Sequence, residues 1–244
     1  LKKTLKNFKK ENIFYYWYRI KKEAKIISKL NSQKDSIDFV ENEFDKIENP
    51  NNKIIFDIAN FYRNSKEYKK AIKFYTKILN VINENSDIKF DLLYRRGSCF
   101  ERIGDFEKAD KDLLASLKIN ADDAYVLNYL AYSWLERNFK INDAMEMLKI
   151  AYEAESDDPY IIDSIGWAYF LTADYTKAEE FLKRAVELMP DDPIVNDHYG
   201  DVLWKLGQKI QARYFWTSAL KMDDADDEMK KKINIKIFEG LENS

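Results

Sequence analysis

His198, the one histidine in the chain, stands in the string Asp197-His198-Tyr199-Gly200-Asp201, with carboxylates close on both sides. An imidazole beside a carboxylate can move a proton. The same pair can also be a packing device, in which the acid fixes the ring's tautomer and orientation. His198 falls at a repeating position of the chain, so a groove or packing role is the expectation. Cys99 is the one cysteine and follows Ser98, with no histidine near it in sequence. A thiol without a base to ionise it behaves as a small buried hydrophobe. One cysteine excludes an intrachain disulfide, and one histidine excludes a multi-histidine metal site. There is no GxxxxGK[ST] loop, GxSxG elbow, HExxH or CxxC, the patterns that would announce phosphate, acyl or metal chemistry. Acidic pairs are frequent (Asp122-Asp123, Asp157-Asp158, Asp191-Asp192, Asp226-Asp227), but they follow a period instead of converging on one point. They lack the loop spacing of a calcium site and are expected to cap helices. No catalytic residue, metal site, cofactor or small-molecule substrate is expected.

The elements that carry these residues are helical. The chain has 244 residues, 34% of them charged, with only 6 Gly and 4 Pro. So few turn formers disfavour an all-β fold, and abundant Lys, Glu, Leu, Ala and Ile favour helix. No apolar run approaches the roughly 18 residues that a membrane-spanning helix needs.

A period of 34 residues organises the rest. Gly166 and Gly200, Ala178 and Ala212, Ala185 and Ala219, and Pro159 and Pro193 are each 34 apart. Ile165-Gly166, Tyr169, Ala178, Ala185 and Pro190 fill one copy of a W-x2-L-G-x2-Y…A…aromatic…P pattern, and Tyr199-Gly200, Leu203, Ala212, Trp216 and Ala219 fill the next. The chain therefore resembles tetratricopeptide-repeat (TPR) proteins. That likeness implies an all-α, right-handed solenoid of antiparallel helix pairs. Five units are expected, at 52–85, 90–123, 124–158, 159–192 and 193–226. Residues 1–51 read as basic and aromatic helices with a degenerate pair over 13–48, and 227–244 as a capping helix with Met229, Ile233, Ile237 and Leu241 on one face and Lys on the other. Small residues at the eighth position of each unit should let paired helices approach closely, and Gly104 and Gly207 should occupy turns with positive φ.

Helical spacing places positions 2, 5, 9 and 12 of each unit on one inner wall. Those positions give Phe56, Tyr94, Tyr125, Asn128, Tyr132, Tyr160, Asp163, Trp167, Phe170, Asp197, Asp201 and Trp204. These aromatics either pack on neighbouring helices or anchor a protein or peptide partner. Asn128 is suited to grip a peptide backbone. The wall becomes acidic toward its C-terminal end, which predicts a neutral or basic ligand segment.

The N-terminal segment has the opposite charge. From residue 1 to 29 ten cations face Glu11 and Glu23, with the aromatic run Phe14 to Tyr18 among them. It reads as an amphipathic helix continuing the solenoid, or as a surface for nucleic acid or anionic membrane, or as a contact between copies. The net charge of −3 gives no global pull toward nucleic acid. The strings LNYLAYSW (127–134), DSIGWAYF (163–170), LMPDDPIVNDHYGDVLW (188–204) and ARYFW (212–216) are similar to C-terminal repeats of exported proteobacterial TPR proteins. That resemblance implies a non-enzymatic adaptor in the periplasm or cell envelope, one type of which docks and activates a carboxyl-terminal processing protease; a cytoplasmic location is the alternative. Leu1 in place of Met is read as a fragment or processed product.

Overall fold

A computed structural model describes residues 13–83 and 86–241. The basic run Lys2, Lys3, Lys6, Lys9 and Lys10 lies outside them. Among the described residues there are thirteen helices and no strand. They are α1 (Ile13–Leu30), α2 (Gln33–Phe44), α3 (Asn52–Asn64), α4 (Tyr68–Leu79), α5 (Lys89–Arg102), α6 (Phe106–Ile119), α7 (Ala124–Glu136), α8 (Ile141–Ala154), α9 (Pro159–Leu171), α10 (Tyr175–Leu188), α11 (Pro193–Lys205), α12 (Lys209–Leu220) and α13 (Asp227–Glu239). They pack as consecutive pairs, α1 with α2 through α11 with α12, and α13 lies against α12. The chain divides into two units, residues 1–119 and 120–244.

The acidic pairs start the helices. Asp123, Asp158, Asp192 and Asp226 each accept a hydrogen bond from a backbone N–H in the first turn that follows, Val126 N at 3.1 Å for Asp123 and Met229 N at 2.8 Å for Asp226. A carboxylate there satisfies orphan donors and meets the positive end of the helix dipole. Pro159 and Pro193 sit in the first turns of α9 and α11, where a missing N–H costs nothing.

Within a pair, contact is set by small residues. A methyl group added at Gly200 would lie 2.5 Å from the Trp216 ring, and one at Gly166 would lie 2.8 Å from Leu182. Trp216, Ala212 and Ala219 are completely buried against α11 as a result. In the first unit, Tyr16, Trp17, Ile20 and Ala24 of α1 enter a core shared with Ile54, Ile58, Ala71 and Tyr75. Tyr16 donates to Glu43, Trp17 Nε1 donates to Asp57 at 3.0 Å, and the buried Ser36 hydroxyl donates to the Ala24 carbonyl at 2.8 Å. The helices α1 and α2 thus form a packed pair.

Five of the turns inside the pairs, those from α3–α4 to α11–α12, place a residue of positive φ at one position. Gly104 and Gly207 have φ of 79° and 81°, and the same turn position holds Lys66 at 61°, Asn138 at 52° and Ala173 at 62°. An L-residue with a Cβ pays about 1 kcal/mol or more for that geometry and glycine does not. Gly207→Ala should therefore lower the melting temperature of the protein, whereas Ala173→Gly at the equivalent turn should raise it. Thermal unfolding by circular dichroism decides this, and a loss of stability in both variants would show that the turn geometry is not the controlling factor.

Candidate functional site

The inner positions of the second unit come together because α9 packs against both α7 and α11. Asp163 of α9 and His198 of α11 are both buried, and the imidazole Nδ1 lies 3.0 and 3.1 Å from the two carboxylate oxygens. Trp167, one turn along α9, stacks on the His198 ring with centroids 4.1 Å apart, and Phe170 stacks on the other side of Trp167 at 4.7 Å. Tyr132 of α7 completes the cluster at 6.3 Å from the imidazole. Burial pulls His198 toward its neutral form. The charge and hydrogen bond of Asp163, helped by Asp197 and Glu136, overcome that pull and leave its pKa above the ordinary value.

The C-terminal side of the same face is closed by α13. Lys236 Nζ reaches Asp197 at 2.8 Å and Asp201 at 2.8 Å, while Asp201 also accepts from Trp216 Nε1 at 2.9 Å. Burial pushes Asp201 up to about 6, with Lys236 opposing and Asp197 adding to the rise. Trp204 is enclosed by Gly240 and by two cations, Arg213 at 4.8 Å and Lys209 at 5.0 Å from the ring centroid. Gly240 has φ of 82°, and an added Cβ would strike the Trp204 ring.

This arrangement corrects the expectation of an acidic wall. Asp163 and Asp201 are interior, Asp163 is matched by His198, and Asp197 with Asp201 is matched by Lys236. A helix period places Lys236 on the polar face of α13, but its long stem carries the ammonium to the buried Asp201 and the half-buried Asp197. What remains open on α7 and α9 is aromatic and polar. Tyr125 is 54% exposed and Tyr160 is 60% exposed, while Asn128, Tyr132, Trp167 and Phe170 are half-buried. Two buried atoms there have no hydrogen-bond partner among the described residues, the acceptor Asn128 Oδ1 and the donor Trp167 Nε1; Ser133 Oγ of α7 is a third. Lys236 and Ser133 were not legible as site residues, because neither sits at a wall position of a repeat.

The first unit holds the other two candidates. Phe56 is half-buried, edge-on to Tyr75 and under the Arg95 guanidinium at 5.3 Å. Arg95 is fixed by Asp91 at 2.8 Å and by Asn60 at 3.2 Å, and Tyr75 donates to Asn60 at 2.6 Å. Phe56 is thus committed to packing, and Tyr94 beside Arg95 is half-buried. Cys99 is fully buried and burial pushes its thiol up to about 11, as an inert core residue.

A family model described as tetratricopeptide repeat matches residues 53–85, 90–123 and 161–192. The chain carries tetratricopeptide repeats. A TPR repeat-containing protein of Pseudomonas aeruginosa, PA4667, is 33% identical over 89 residues, which is 36% of this chain and 15% of that protein. The chain thus spans less than a sixth of that relative's length. Among solved structures, a thermophilic TPR protein of Thermus thermophilus superposes with a TM-score of 0.61 at 18% identity, covering 75% of this chain and 97% of the other. PilF of Pseudomonas aeruginosa gives 0.59 at 16% identity, over 78% and 85% of the two chains. MamA of Desulfovibrio magneticus gives 0.57 at 17% identity, over 72% and 97%. TPR arrays build extended surfaces suited to holding other proteins.

The buried ionisable groups of the second TPR unit set a pH dependence. His198 and Asp201 both hold a proton more tightly folded than unfolded. Each therefore contributes stability that is present in mild acid and is lost as pH rises through its folded pKa. The second unit should melt a few degrees higher at pH 5.5 than at pH 8, followed by tryptophan fluorescence, since four of the five tryptophans lie in it. His198→Gln should flatten the slope. A melting temperature that rises with pH over this window would contradict the reading.

Proposed function

We propose that the open face of α7 and α9 binds an extended, neutral peptide segment of a protein partner, and that the chain works as a non-catalytic adaptor. The observation that carries this is the pair of unsatisfied atoms, one acceptor at Asn128 Oδ1 and one donor at Trp167 Nε1, on neighbouring helices that also expose Tyr125 and Tyr160. Buried polar atoms without partners are rare in folded proteins and cost about 1–3 kcal/mol each. A peptide group offers one N–H and one C=O, the complement of that pair, once the two side chains turn toward it. Tyr125 and Tyr160 stand at equivalent positions of successive units and can bracket the segment as large, rigid contacts of low entropy cost. Phe170 backs the Trp167 indole and fixes its plane.

The preference for a neutral over a strongly basic segment rests on the engagement of Asp163 by His198 and of Asp197 and Asp201 by Lys236, which removes most of the acid the wall would otherwise offer. Placement of this adaptor in the bacterial cell envelope rests on the resemblance of its C-terminal strings to exported TPR proteins.

Tyr125→Ala combined with Tyr160→Ala removes two exposed rings that pack on little else, so the fold should be unaffected. Proteins that co-purify with the wild-type chain from lysate of the source organism should be lost by this variant, with affinity down at least tenfold for any partner recovered. Trp167→Phe, which keeps the stack and deletes the N–H, should weaken the same partner further. Undiminished recovery by both variants would sink the proposal.

A further inference from the structure

A different surface, in the first unit, has a composition that the packing of repeats does not require. The inner face of α1 is Tyr16, Trp17, Ile20 and Ala24, all buried. The opposite face carries Tyr15, Tyr18, Lys22, Lys25, Ile26 and Lys29 in one stripe, and every one of them is exposed. Tyr15 is 65% exposed, and Leu30 at the end of the helix is 77% exposed. The one acid of the helix, Glu23, lies on the flank within 3.6 Å of Arg19. Lys22 sits over the Tyr18 ring at 5.3 Å, and Lys25 and Lys29 have no ion-pair partner among the described residues. Lys21, on the other flank, is tied to Asp57 at 2.7 Å and holds the helix to α3.

The charge of the whole sequence is segregated in the same sense. Residues 1–30 hold ten cations and two acids, net +8; residues 31–119 hold sixteen of each; residues 120–244 hold fourteen cations and twenty-five acids, net −11. The excess of positive charge is thus confined to the first thirty residues, of which α1 carries five cations and one acid.

From this we infer that α1 docks the protein on an anionic lipid bilayer, lying in the plane of the headgroups with its Lys stripe against the phosphates. Exposed lysines each add attraction to an anionic leaflet within a Debye length. Tyrosine rings favour the water–hydrocarbon boundary, where the ring is buried and the hydroxyl stays wet. Ile26 and Leu30 are what distinguish lipid from nucleic acid as the occupant. An aliphatic side chain gains by entering the acyl boundary and has no base or phosphate contact to make. Beside the stripe, Phe14, Tyr15, Trp17 and Tyr18 wall an open cleft toward Lys53, whose ammonium lies 5.6 Å from the Phe14 ring. The surface is distinct from the face of α7 and α9, so membrane docking and partner binding can be lost independently.

The test uses the full chain and extruded vesicles of equimolar phosphatidylglycerol and phosphatidylcholine, with pure phosphatidylcholine as the reference, in a flotation assay at low and high salt. The expected result is binding to the anionic vesicles alone, falling steeply as salt rises. Lys22→Glu, Lys25→Glu and Lys29→Glu together should reduce it at least tenfold. Tyr15→Ser with Tyr18→Ser should also weaken it, and should leave a residual association that high salt abolishes. All five positions are exposed, and circular dichroism verifies that each variant keeps its helix content. Three results would overturn the inference: no preference for anionic vesicles, variants that bind as wild type does, or a stripe that serves another occupant. The last would appear as tighter binding to a single-stranded oligonucleotide than to vesicles, or as self-association in sedimentation that the lysine reversals abolish.

Discussion

Close approach of paired helices at a residue without a side chain is the constraint on which the repeats depend. At Gly200 the α11 backbone lies so near α12 that the Trp216 ring occupies the space a Cβ would need, and at Gly166 Leu182 does the same between α9 and α10. The pairing brings large side chains into full burial, and each such side chain is worth roughly 1.5–3 kcal/mol when withdrawn from water. Ala59 and Ala131 meet the same need with a methyl group and are themselves fully buried. Everything outside this seam, including the turns, caps and inner wall, can vary so long as the approach is kept. That freedom lets pairs of one design carry different surfaces in the two units.

The second dependency is electrostatic and runs through the interior of the second unit. Asp163, His198, Asp197, Asp201 and Lys236 form a string of buried or half-buried charges in which each member is tolerable only because of its neighbour. Breaking such a set by removing one partner is far costlier than the net worth of the set, since a charge is then left buried alone. Lys236 therefore ties α13 to α11 by more than its apolar face of Met229, Ile233 and Ile237. The capping helix shields the last repeat from water and also completes its charge balance.

Periodicity made the architecture readable. The 34-residue spacing of Gly166 with Gly200 and of Ala178 with Ala212 fixes both the helix pairs and their small-residue seam, because close packing admits few residue types. The caps at Asp123, Asp158, Asp192 and Asp226 were legible because they answer to local backbone chemistry. The chemistry of the wall was not legible. Position within a helix says which way Asp163 and Asp201 point but not what meets them there. Their partners come from a residue 35 positions away in one case and from a capping helix with no repeat register in the other. A formal charge read along the sequence counts both as free, and only a three-dimensional neighbour reveals that they are spent. The left-handed turns at Lys66 and Ala173 were missed for a related reason, since neither residue type announces positive φ.

Asn128, Ser133 and Trp167 each bury a polar atom with no hydrogen-bond partner among the described residues. Selection for rigidity alone would remove such atoms, because apolar replacements of similar shape cost nothing and relieve the penalty. If the face of α7 and α9 binds as proposed, this stretch of the second unit is a place where thermal resistance and usefulness are opposed. Consensus redesign or screening for heat tolerance would be drawn to these three positions first, and it would yield a sturdier protein with a blank face.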